Sequence, residues 1–114
     1  MPYLKIQSNI SVDGARKQSV LAKASASIAE QLGKPERYMM AAMDTDCAML
    51  LGGSDEPLAF VELKGLGLPE SRTAELSDTI SRLLLVELGI RPDRVYIIFS
   101  DIPRAMWGWN GGTF

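Results

Sequence analysis

Pro2 is the first residue of this sequence whose chemistry asks for an explanation. It follows Met1, and aminopeptidases commonly remove an initiator Met that precedes a small residue. Removal leaves a secondary amine on a rigid ring. An α-amino group has a pKa of about 7.7–8.0, and burial disfavours its charged form and lowers that value. The result is a general base poised near neutral pH. The plainer reading is that Pro2 only protects the terminus from proteolysis. What else could serve as a base decides how much weight Pro2 receives. The chain has no His, so the usual base and every His-dependent triad are excluded. Its single cysteine, Cys47, excludes an internal disulfide and a CxxC motif. A zinc site would need four non-His ligands, which one Cys cannot supply. The remaining bases are Asp, Glu, Lys, Tyr and the terminal amine.

The elements that would position Pro2 can be read in order. Residues 2–7 alternate, with Leu4 and Ile6 on one face, as a half-buried strand does. Asp13-Gly14 has the form of a helix start, with Asp13 as N-cap. Leu21, Ala24, Ile28 and Leu32 fall at helical spacing, and Gly33 ends the helix before Pro35. Tyr38 to Met43 is a continuous apolar run, expected as a strand buried on both faces. Ala48 to Leu51 is expected as a short edge strand, and Leu58 to Lys64 as the next strand. Pro69 sits near the start of a second helix with an apolar face of Leu76, Ile80, Leu83, Leu84 and Leu88. Gly89 ends it, and Val95 to Phe99 is a strand rich in β-branched and aromatic residues. The tail, Trp107 to Phe114, is glycine-rich and aromatic.

The two halves echo each other. Each reads strand, loop, helix, glycine exit, strand, with exits Gly33-Lys34-Pro35-Glu36-Arg37 and Gly89-Ile90-Arg91-Pro92-Asp93-Arg94. The expected fold is α+β: a duplicated β-α-β unit forming a four-stranded mixed sheet, with two antiparallel helices on one face and short edge strands. Two helices cover one sheet face only. The apolar runs at Met39 to Met43 and Leu58 to Val61 imply that the other face also needs cover, and hence a homo-oligomer.

Composition narrows the function classes. The 114 residues suit one domain spanning 1–114, with 46% hydrophobic residues and a net charge of −2. A pI near 5.1 and the lack of a basic stripe give no sign of nucleic acid. No apolar run approaches the roughly 20 residues of a membrane span. The expected location is the cytoplasm, or export by a route that reads no leader.

Taken together, several segments resemble the macrophage migration inhibitory factor family of the tautomerase superfamily. They are Met1-Pro2 opening into a strand, Gly33-Lys34-Pro35 with Tyr38, and Gly52-Gly53-Ser54 before Glu56-Pro57. Pro92 to Ile97, Gly108-Trp109-Asn110 and Thr113-Phe114 complete the set. The acidic pI and compact length are similar to microbial members. The resemblance implies a homotrimer whose sheets wrap into a barrel, with three active sites at subunit boundaries. It implies keto–enol tautomerisation of α-keto acids such as phenylpyruvate, or of dopachrome-like compounds, without metal or organic cofactor. Carried over by residue, Pro2 is the acid/base and Lys34 holds the substrate carboxylate. Leu66 offers a backbone N–H, and Tyr96 comes from the neighbouring subunit. Tyr38, Trp109 and Phe114 surround the mouth.

Departures from the animal members matter too. Ile98 replaces a pocket Asn, which makes the inner pocket more apolar and weakens selection for hydroxylated substrates. Trp107 stands where a Val is usual, Tyr3 replaces Met and Lys64 replaces His. Leu58-Ala59-Phe60-Val61 occupies the place of a CxxC, so the thiol–disulfide chemistry attributed to that motif has no residues here. Two alternatives stay open. One is a cytokine-like binding protein with a vestigial pocket, whose partner would be a host receptor. The other is a relative that dehalogenates or isomerises unsaturated diacids. Such relatives carry extra Arg or Glu around the pocket, which the sequence does not place.

Overall fold

A computed structural model describes residues 1–114. Its order is β1 (Tyr3–Ser8), α1 (Gly14–Leu32), β2 (Met40–Asp44), β3 (Ala59–Gly65), α2 (Thr73–Leu88) and β4 (Val95–Asp101). A terminal hairpin follows, of β5 (Gly108–Trp109) and β6 (Gly112–Thr113). The four long strands form one sheet in the order β2-β1-β3-β4. β1 runs parallel to β2, β3 parallel to β4, and the two halves meet antiparallel at β1 and β3. This is the duplicated β-α-β architecture expected from the sequence.

Local chemistry sets the helix ends. The Asp13 side chain accepts a hydrogen bond from the Arg16 N–H at 2.8 Å, an N-cap that satisfies an otherwise orphaned donor. Gly33 and Gly89 end α1 and α2 at φ 66° and 68°, a left-handed conformation that costs a side-chain-bearing residue steric strain. The helices are antiparallel. Lys23 pairs with Glu87 at 2.8 Å, and Thr79 donates to Gln31 at 2.7 Å farther along.

Both helices pack on the face that carries Leu4 and Ile6 of β1 and Val61 and Leu63 of β3, all fully buried. Register explains this, because Leu4 lies opposite Leu63 and Ile6 opposite Val61. Ile28, Leu76, Ile80 and Leu84 cover them from above. Each such side chain contributes about 1.5–3 kcal/mol by leaving water. On α1 the buried stripe is Val20, Ala24, Ile28 and Ala29, whereas Leu21 and Leu32 are only half-buried. The helix is therefore rotated slightly from the expected face.

Four expectations on the strands and their sheet need correction. Tyr38 lies in a 3-10 turn, Glu36–Tyr38, rather than in β2. β2 itself is half-buried or exposed because it is an edge strand. Ala48 to Leu51 forms no strand; only Leu51 makes an isolated bridge, to Ser54. The open sheet face is also less apolar than expected. Its central strands present Tyr3, Lys5 and Gln7 opposite Lys64, Glu62 and Phe60. Apolar exposure concentrates instead on the edge strands, at Met40 (66%), Tyr96 (64%) and Ile98 (52%).

Candidate active site

Pro2 stands immediately before β1, with its ring wholly buried. Its carbonyl accepts a hydrogen bond from the Met40 N–H at 3.0 Å, which ties it to the start of β2. Two cavities meet at this residue. The larger, about 430 Å³, lies among Tyr3, Tyr38, Trp107, Trp109 and Phe114. The smaller, about 170 Å³, lies among Lys34, Leu66, Gly67 and Arg72. Pro2 and Met1 line both.

The aromatic wall is a product of the tail. Asn110 (φ 51°) and Gly111 (φ 77°) take left-handed conformations between β5 and β6, as a tight two-residue hairpin turn requires. The chain then folds back, so that the Phe114 N–H donates to the Trp107 carbonyl at 3.2 Å. The Trp109 and Phe114 rings stack at 5.5 Å, only 12° from parallel. Tyr38 meets Trp109 edge-on at 6.1 Å and 82°. These offset and edge contacts suit the ring quadrupoles and make the wall of the larger cavity mostly aromatic and apolar.

The smaller cavity has a different character. Lys34 follows the α1 cap and makes no ion pair within the chain. Leu66 has a buried side chain and sits in the β3–α2 connection beside Gly67, whose φ is 67°. Cationic and backbone groups thus face this end of the site. They also act on the chain terminus. The Met1 amine beside Pro2 is held below the ordinary range of an α-amino group, first by burial and second by the charge of Lys34.

The chain therefore brings together Pro2, Tyr3, Lys34, Tyr38, Leu66, Trp107, Trp109 and Phe114 from four separate stretches of sequence. It does not bring Tyr96 and Ile98 to them. Both project from β4 on the open sheet face and line neither cavity. Trp107 lines the larger cavity without filling it. Two arginines join the pocket that the sequence does not point to: Arg37 lines the larger cavity and Arg72 the smaller. Their only signals are faint, since Arg37 directly precedes Tyr38 and Arg72 follows the loop that carries Leu66.

Known proteins share this fold and resemble this sequence. A macrophage migration inhibitory factor homologue from Prochlorococcus marinus is 40% identical over 98% of both chains, with a TM-score of 0.94. A macrophage migration inhibitory factor homolog of Brugia malayi is 37% identical, covering 100% of this chain and 99% of its own. The mouse macrophage migration inhibitory factor is 30% identical, with 100% and 99% covered. The family model for macrophage migration inhibitory factor matches residues 1–114. The chain belongs to the macrophage migration inhibitory factor family, within the tautomerase superfamily.

Proposed function

We propose that this protein is a cofactor-independent keto–enol tautomerase of phenylpyruvate-like α-keto acids or dopachrome-like compounds, with the Pro2 amine as acid and base once Met1 is removed. The observation that carries this reading is the place of Pro2 at the meeting of an apolar aromatic slot and a cationic pocket. An aryl α-keto acid has the same two ends. Its ring fits against Trp109 and Phe114, and its carboxylate fits Lys34 and the backbone around Leu66. The carbon between them then lies at the Pro2 nitrogen.

The step conserves atoms. The free amine takes a proton from the carbon next to the ketone, and electrons move to the ketone oxygen. The resulting secondary ammonium returns a proton to that oxygen, giving the enol and the free amine. The Met1 amine beside Pro2 is held below its ordinary range, first by burial and then by Lys34; an amine at Pro2 would meet the same cation, a direction that favours the free base. Lys34 offsets the negative charge that develops on the substrate oxygens.

We infer that the working form is a homotrimer. The edge strands β2 and β4 carry unpaired backbone groups and the most exposed apolar residues of the sheet, Met40, Tyr96 and Ile98. A neighbouring copy that pairs there would bring its Tyr96 and Ile98 to the Pro2 cavity.

The test is turnover of phenylpyruvate by chain shown by mass spectrometry to lack Met1. Replacing Pro2→Gly is expected to lower kcat/KM by about 10²–10⁴-fold. Chain that keeps Met1 is expected to be inactive, because its Pro2 nitrogen is an amide. A folded Pro2→Gly protein as fast as wild type would sink the mechanism.

A further inference from the structure

One unpaired cation lines each cavity of the site: Lys34 in the smaller and Arg37 in the larger. Arg72, the other arginine present, is already engaged. Its Nε lies 3.2 Å from Glu75, and its other end donates to the Gln31 carbonyl. Arg37 differs. Its guanidinium carbon stands 4.8 Å from the centre of the Tyr38 ring, within cation–π range. It makes no ion pair within the chain. The adjacent carboxylate, Glu36, turns away to accept a hydrogen bond from Ser25 at 3.3 Å.

We propose that Arg37 binds a second anionic group on the substrate, so that the preferred substrate is an α-keto acid with a further carboxylate at the far end of its ring or chain. This rests on the tautomerase reading above. The guanidinium fork matches a carboxylate with two parallel hydrogen bonds. Its contact with Tyr38 holds it in place beforehand, which lowers the entropy lost on binding. Arg37 is itself exposed, so the pair has the modest strength of a solvent-screened bidentate contact. The second carboxylate takes no part in bond making, so the proton transfers at Pro2 are unchanged.

Phenylpyruvate and 4-carboxyphenylpyruvate test this on Met1-free protein. Affinity is measured by titration calorimetry and turnover by absorbance, for wild type and Arg37→Gln. Wild type is expected to bind the ring carboxylate about five- to tenfold more tightly. In Arg37→Gln that preference falls to within about twofold, with phenylpyruvate affinity little changed. Arg37→Lys keeps part of it, and added salt weakens it. A wild type without the preference, or an Arg37→Gln protein that retains it, overturns the proposal. Preference in binding without turnover of either compound supports the role of Arg37 and defeats the tautomerase reading. Turnover of both compounds without preference does the reverse.

Discussion

Each half of the chain leaves its helix by the same route, and the two exits end in opposite roles. Gly33 and Gly89 both turn left-handed, and a proline, an acid and an arginine follow: Pro35-Glu36-Arg37 and Pro92-Asp93-Arg94. A 3-10 turn at each exit then feeds a strand. In the second half Ile90 is fully buried, and Arg94 is 8% exposed. The Arg94 guanidinium donates to the carbonyls of Leu51 at 2.8 Å and of Ser54 and Glu56 at 2.9 Å, with a longer contact to Pro57. It fastens the 51–57 loop. In the first half the corresponding positions are Lys34 and Arg37, and both face cavities around Pro2. A shared backbone thus buries one exit in the fold and turns the other towards the cavities.

Arg94 gives the sharpest way to break the comparison. Arg94→Ala leaves several partly buried carbonyls without their donor, and the expected loss is about 2–4 kcal/mol by denaturant unfolding. Turnover per folded molecule is expected to hold. Lys34→Ala is expected to leave stability nearly intact and to raise KM about 10- to 100-fold, as the loss of a charged hydrogen bond does. It also removes the lesser of the two causes that lower the Met1 amine, a charge that the Pro2 amine of Met1-free chain would meet in turn. The amine pKa then rises towards its ordinary value, so the acid limb of kcat/KM moves to higher pH. A limb that stays in place would separate Lys34 from the amine. Gly33→Ala and Gly89→Ala are each expected to cost about 1 kcal/mol, since the left-handed cap is the same in both halves. A large inequality would show that the exits are not equivalent. Arg37→Ala is expected to change stability by less than about 0.5 kcal/mol, the contrast with Arg94 measured by the same unfolding curve.

The repeat, both helix ends and the β-strand order of each half were legible because each depends on nearby residues: Asp13, Gly33, Gly89, and alternation along β1. The environment of β2 was not. A continuous apolar run such as Tyr38 to Met43 reads alike for a central strand and for an edge strand that awaits a partner. Pro2 and Lys34 stood out through the absence of rival bases and through family resemblance. Arg37 and Arg72 did not, because a charged residue beside a turn looks like any solvated side chain until distant segments close a cavity against it. Tyr96 and Ile98 show the converse. Their sequence positions match the family's pocket, yet a single chain leaves them on an open sheet face.

The first exit has a practical side. None of the residues 34–37 belongs to the core, and Pro35, Glu36 and Arg37 are exposed. They can be exchanged for other residues without opening a void or stranding a polar group. Under the role proposed for Arg37, selectivity for the distal end of a substrate would rest on a piece of surface that the core does not depend on. A library confined to Glu36 and Arg37 would redirect the site while leaving folding to the rest of the chain.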